Sequence, residues 1–362
     1  MALPIYACAI FGCAFLLFFV QPMIGKMILP RLGGHLSVWN NLMLLVGIAH
    51  SAGYIYAYGI SFVLPHRAQL ALHAVLWAIP FFFLPFGVND WIPEPEDSVV
   101  VALLRLLSPG VLLPIFLFSS SSLLLQKWFT QTNHPSRNDP YFLYSFSNLG
   151  GLLSLLMYPS LIEPYLILNT QTWYWTGGYI LVFGLILLSA AFVWLARAPT
   201  IETPLVRLTI LWRLRWVIFR ALPGTLLFGV SEYIAEETPA MPLIWLVPLS
   251  LYMLSFVLAF MKWPLDWRVW PHRILLVTYP VVLASLIIFL FVPGFDTIGH
   301  WCICLAAFFM TALVCNGILS RDRPPTHYLT SYYLWMSVGD IVGGLAFSIY
   351  SSGQAMLLGF FG

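Results

Sequence analysis

Leu3-Pro-Ile-Tyr-Ala-Cys-Ala-Ile-Phe-Gly-Cys-Ala-Phe-Leu-Leu-Phe-Phe-Val-Gln21 is an uncharged, almost wholly apolar run, and its reading decides the fold. At 1.5 Å per residue, a helix of this length crosses roughly 30 Å of hydrocarbon. The run has neither a basic n-region nor a small-residue cleavage site, and it continues into Gln21-Pro22. A retained first span is therefore expected, not a removable leader. Similar runs recur throughout the chain. Its 362 residues include only 16 basic and 14 acidic side chains, and 60% are hydrophobic types. A water-soluble domain cannot cover itself with so few charges. The partner this composition demands is a lipid bilayer. A net charge of +2 with no basic tail or stripe gives no support for nucleic acid.

Apolar runs read against polar punctuation predict an all-α, polytopic transmembrane bundle of eleven spans. They fall near 3–21, 38–63, 69–87, 108–128, 140–162, 172–196, 215–235, 241–262, 272–292, 298–319 and 328–351. Two membrane halves are expected, 1–198 with six helices and 217–362 with five, joined by a basic interfacial connector at 199–216. The acidic segment Asn89–Asp97 cannot lie in lipid.

Basic residues set the orientation, because cytoplasmic loops hold an excess of Lys and Arg. With the N-terminus inside, the inner loops collect Arg67, Lys127, Arg137, Arg197, Arg207, Arg213, Arg215, Arg220, Lys262, Arg268, Arg273, Arg321 and Arg323. The outer loops hold Asp90, Glu94, Glu96, Asp97, Glu163, Glu232, Glu236, Glu237 and Asp296. This places the N-terminus in the cytoplasm of a bacterial cell, the chain in its inner membrane and the C-terminus on the opposite side.

The halves carry a weak duplication. Tyr141-Phe-Leu-Tyr144 precedes Gly150-Gly151, as Tyr332-Tyr-Leu-Trp335 precedes Gly343-Gly344, and Trp39 and Trp245 each open a span. An even number of spans separates equivalent positions, so the repeats are parallel, as in the major facilitator architecture.

Four blocks in order resemble the fused major-facilitator/spermidine-synthase-like membrane proteins. They are Phe19-Val-Gln-Pro-Met-Ile-Gly-Lys-Met-Ile-Leu-Pro-Arg-Leu-Gly-Gly34 with Val38-Trp39, Leu125–Phe129 with Asp139–Gly150, Pro242–Tyr252, and Arg321–Pro324 with Tyr332–Gly339. The resemblance implies a cytoplasmic aminopropyltransferase-like domain after the membrane part. No strand followed by a glycine fingerprint occurs, and the last residues are expected outside, so no aminopropyl transfer and no such cofactor is expected.

Lys26 and Arg31 break the charge rule by lying in the first outer loop. The Trp39–Trp245 spacing carries them onto Glu232 and Glu237, which suggests an ion-pair gate between the repeats; solvated or phosphate-anchoring loop charges are the alternative. Asp340 is the acid inside a predicted span, where an ionisable group normally faces the bundle interior or water. It is a candidate cation or proton site; the alternatives are a buried aspartate, neutral or Arg-paired, or a depth misread by one turn. Asn148 and Ser119–Ser122 either bond helix to helix or line a polar path. His50 and His73 could ligate haem or pigment, although a buried imidazole bonded to a neighbour is commoner. Ala49, Gly53 and Ala57 mark a close helix contact. The five cysteines read as packing residues. No triad, metal motif, phosphate loop or paired carboxylates appear, so no catalytic site, cofactor or metal is expected.

The functional expectation is a non-enzymatic, transporter-like protein that moves or senses a small polar solute between its halves, with polyamine-related cations as a guess. A second reading is a membrane subunit that scaffolds a larger complex. A third is a membrane partner of a separate synthase-like enzyme.

Overall fold

Lipid offers backbone N–H and C=O groups no partners, so a chain this apolar must satisfy them within helices. The structure, a computed structural model, describes residues 2–32, 36–87, 99–195, 208–237, 246–262, 276–277, 279–280, 283–284 and 297–361. Among these, helix predominates and no strand occurs. Among the described residues, eight helices are long and apolar enough to cross a bilayer, and a shorter apolar one spans Leu246–Phe260.

The chain divides into two units, Met1–Thr203 and Pro204–Gly362. The first contains α1 (Ala2–Ile28), α2 (Leu36–Val63), α3 (His66–Ala78), α4 (Val99–Leu107), α5 (Leu113–Phe129), α6 (Leu143–Met157) and α7 (Leu168–Leu195). The second contains α8 (Ile210–Glu237), α9 (Leu246–Phe260), α10 (Thr297–Arg321) and α11 (Leu329–Phe361). The acidic segment 89–97, Trp245 and most of the expected span 272–292 lie outside the described residues.

Several boundaries differ from the sequence reading. Helix α1 runs through Pro22 to Ile28, so Lys26 is helical and not in a loop. The fourth span starts at Val99, not 108: Pro109 and Pro114 cannot donate backbone N–H groups, and a π-turn over Ser108–Leu112 carries the helix from α4 into α5. A second π-turn, Tyr158–Ile162, extends α6 past Pro159. Residues 210–216, read as the end of the connector, are the first turns of α8. The third rod ends in a 3₁₀ turn at Ile79–Phe82. Helix α11 continues to Phe361, past the expected end at 351.

Within each unit the long helices pack in close pairs. In the first unit α1 lies along α6 and α2 along α5; in the second, α8 lies along α11 and α9 along α10. Glycines permit the approach. An ideal Cβ on Gly150 would stand 2.3 Å from the Phe11 carbonyl oxygen, and one on Gly343 would stand 2.7 Å from that of Ala221. Each of these glycines is placed where a side chain would push two backbones apart. Gly53 does the same for α2, where a Cβ would be 2.6 Å from the Phe116 carbonyl oxygen.

An aromatic ladder ties α3, α5 and α7 together inside the first unit. The Trp77 ring stacks on Tyr179 at 4.7 Å, Tyr179 on Trp175 at 6.0 Å, and Phe118 sets its edge to Trp77 and Trp175 at 5.5 and 5.9 Å. Polar handles orient the rings: Tyr179 donates to the Trp77 carbonyl (2.8 Å), and the Trp175 indole donates to that of Leu16 (3.0 Å).

Candidate functional site

In the second unit, Arg220 of α8 meets Asp340 of α11. Arg220 Nε lies 2.6 Å from Asp340 Oδ1, and the Tyr252 hydroxyl of α9 donates to the same oxygen at 3.5 Å. Arg220 is ten residues into α8 and Asp340 eleven into α11, which places the pair about 15 Å along each rod, inside the stretches apolar enough to cross a bilayer. Aromatic faces enclose the cation: the guanidinium carbon lies 4.1 Å from the Phe256 ring centre and 5.2 Å from that of Tyr252. Desolvated cation–π contacts of this kind are worth about 2 kcal/mol. Gly339, one residue before the aspartate, lets α8 come this close, since its Cβ would meet the Arg220 Cβ at 2.6 Å and the Val217 carbonyl oxygen at 2.8 Å. Beneath Tyr252, Ser255 donates to its carbonyl (2.6 Å) and accepts from Asn316 Nδ2 of α10 (2.8 Å), which extends a polar thread into the unit. The corresponding α1–α6 contact in the first unit has no charged side chain at this depth.

The charge count assigns Arg220 to an inner loop; the structure buries it inside α8. The other expected residues are placed as follows. Lys26 forms an ion pair with Glu163, in the turn before α7, and Arg31 lies just beyond the end of α1. Glu232 accepts a long hydrogen bond from Ser351 at 3.4 Å. Glu237 ends α8, and its side chain lies outside the description. Asn148 is buried and donates to the Tyr144 carbonyl of its own helix (2.9 Å).

The hydroxyl cluster and the histidines form two hydrogen-bonded groups, one between α2 and α5 and one joining α2, α3 and α5. His50 Nδ1 lies 2.8 Å from Ser119 Oγ, and His73 Nε2 lies 2.8 Å from Ser121 Oγ. The Trp77 indole donates to both His73 Nε2 (3.2 Å) and Ser121 Oγ (3.0 Å), and Tyr56 OH lies 3.5 Å from His73 Nδ1. Both ring nitrogens of His73 thus face protein partners. Ser121→Ala is expected to cost about 1–3 kcal/mol, because one hydroxyl serves two buried groups. Ser120→Ala should be near neutral, since that hydroxyl bonds only carbonyls of its own helix. Thermal midpoints of the detergent-purified variants measure the difference.

Just past the end of α10 the chain makes a further ion pair with α8. Arg215 Nε lies 2.7 Å from Asp322 Oδ2, and the Trp216 indole donates to the Asp322 carbonyl (3.3 Å). Burial pushes the Asp322 carboxyl above its ordinary value, against the downward pull of Arg215 and Arg321. The folded state therefore holds this proton to higher pH than the unfolded chain does. The stability contributed by this group falls as pH rises through the window just above the ordinary carboxylate range. Asp322→Asn is expected to flatten that decline in a series of thermal midpoints against pH.

No protein-family model and no curated protein matches the sequence. Among solved structures, the chain is similar to the MFS (major facilitator superfamily) proton:xylose symporter XylE bound to 6-bromo-6-deoxy-D-glucose. The match has a TM-score of 0.54 and 15% identity, covering 98% of this chain and 88% of that one. At that identity the likeness shows the fold alone: an all-helical, polytopic membrane bundle like that of the matched structure.

Proposed function

We propose that this protein is a membrane transporter for a small polar solute, with the Arg220–Asp340 pair as the charged point on its path. The observation that carries this reading is the pairing of two charged side chains within helices apolar enough to cross a bilayer. An ionisable side chain at mid-bilayer costs about 2.5–3.5 kcal/mol on insertion scales, and such residues characteristically serve ion or substrate pathways. A proton or a cationic solute would compete with Arg220 for the Asp340 carboxylate, and its arrival would release the arginine to its aromatic neighbours. The polyamine-like class is favoured by this acid and by the four-block resemblance to spermidine-synthase-associated membrane domains. The loop charges support a cytoplasmic N-terminus in a bacterial inner membrane.

Proteoliposomes with an entrapped pH dye, challenged separately with putrescine, spermidine and xylose, test the proposal. Solute-dependent dye response that Asp340→Asn abolishes, in a variant that stays monodisperse, supports transport. No response to any solute, together with stoichiometric companion proteins after gentle purification, would favour the scaffold or enzyme-partner reading instead.

A further inference from the structure

We infer that Asn316 is a binding point for a hydrogen-bond donor, the O–H or N–H of a water molecule or of a polar solute, which reaches its amide oxygen when α9 and α10 part. The inference rests on the transport reading for the solute, and it adds a second polar contact to the path. Asn316 belongs to α10, inside a stretch apolar enough to cross a bilayer, and its side chain is fully buried. Ser255 of α9 fixes which way the amide points. The Ser255 hydroxyl has one proton and gives it to the Tyr252 carbonyl at 2.6 Å, so towards Asn316 it can only accept. The Asn316 amide must therefore turn its NH₂ group to Ser255, where Nδ2 lies 2.8 Å from Oγ. The amide oxygen faces away, sealed from solvent, and among the described residues it has no hydrogen-bond partner.

A buried acceptor without a donor is costly, and buried polar groups are almost always paired. Other polar groups of α10 keep that rule. Tyr332 gives its hydroxyl proton to the Leu319 carbonyl at 2.8 Å, and the Tyr279 and Thr311 hydroxyls pair at 3.0 Å. An oxygen left open beside a hydroxyl whose proton is already spent marks a place that another group completes. Because the oxygen is sealed, that group can enter only if the helices separate. The seam suits such opening, since the bond that joins α9 to α10 at this point is a neutral hydroxyl–amide contact, which is weak between membrane helices. Asn316 also lies close to the charged pair: Ser255 is one turn of α9 from Tyr252, whose hydroxyl donates to Asp340. A neutral amide oxygen accepts from charged and uncharged donors alike, whereas the Asp340 carboxylate favours cations. Together they suit a solute that carries an N–H or O–H besides its charge.

Labelling of the full chain in dodecyl maltoside with methanethiosulfonate ethylammonium, a small water-borne thiol reagent, provides the test. Asn316→Cys is compared with Val314→Cys, both in a Cys315→Ala background, and the modified position is located by mass spectrometry. Val314 is the control because it is buried in an apolar cluster with Leu313 and, two residues away, lies on the opposite side of α10. The Asn316→Cys variant is expected to react at least about tenfold faster, since local opening of the seam wets one side of the helix and not the other. Spermidine or xylose that slows this reaction identifies a solute as the donor, and a reaction that neither slows identifies water; both uphold the inference. Asn316→Leu supplies a measurement that needs no introduced thiol. With an unpaired acceptor removed, its thermal midpoint is expected to equal or exceed that of the native protein. Labelling requires no transported solute, so fast reaction of Asn316→Cys without any dye response in proteoliposomes removes the transport reading and leaves the contact point standing. The inference is overturned if Asn316→Cys reacts no faster than Val314→Cys, or if Asn316→Leu lowers the thermal midpoint, which would show that the oxygen already has its donor.

Discussion

Replacing Arg220 with leucine is expected to destabilise the protein by up to about 3 kcal/mol, because it leaves the Asp340 carboxylate without its cation inside a membrane-spanning stretch. Asp340→Asn should cost less. The arginine left behind keeps its two aromatic faces, 4.1 and 5.2 Å away, whereas the orphaned aspartate keeps only a long contact with Tyr252. The double variant Arg220→Leu/Asp340→Asn should recover much of the loss, since no charge then remains to be solvated. Coupling of about 0.5–3 kcal/mol between the two positions, read from thermal midpoints in detergent, is the expected signature of a direct pair. Additive losses would show that the residues act independently.

Gly150→Ala is expected to be the most damaging of the glycine-to-alanine changes, at about 1–3 kcal/mol, through overpacking. The added methyl would stand 2.3 Å from the Phe11 carbonyl oxygen, with the Phe11 carbonyl carbon and Cα at 3.1 and 3.2 Å. All three are backbone atoms, so no rotamer change relieves the clash and α1 must move away from α6. Gly343→Ala should behave alike in the second unit, where the Ala221 carbonyl oxygen waits at 2.7 Å. Gly177→Ala and Gly184→Ala in α7 are the controls. A Cβ there meets nothing within 4 Å, and neither should lower the yield of monodisperse protein or its thermal midpoint.

The spans were legible because the demand for some twenty apolar residues in a helix leaves a coarse and strong trace. Their ends were not. Pro22 reads as punctuation, yet in a membrane helix neighbouring helices compensate for a proline, and α1 continues far enough to make Lys26 helical. Pro109-Gly110 reads as the opening of a span, but a π-turn absorbs it and the rod begins ahead of it. The same uncertainty concealed Arg220. With α8 starting at 215, an arginine at 220 lies little more than one turn in and counts with the loops. With the start at Ile210 it lies nearly three turns deep. Asp340 could be singled out from sequence because it stands alone in an apolar stretch. Its partner could not, because Arg213 and Arg215 nearby made Arg220 look like one more member of a basic end. Glu163 was read as an ordinary loop acid, and nothing in its local sequence links it to a lysine 137 positions away.

The ladder of Trp77, Tyr179, Trp175 and Phe118 has an optical corollary. Transition dipoles held 4.7 to 6.0 Å apart in fixed orientation couple excitonically, so the folded first unit should give an intense, structured near-ultraviolet circular dichroism band. That band would vanish once α3, α5 and α7 separate, even if each rod stayed helical. It therefore supplies a spectroscopic reporter of tertiary packing that the far-ultraviolet signal of an all-helical protein cannot provide.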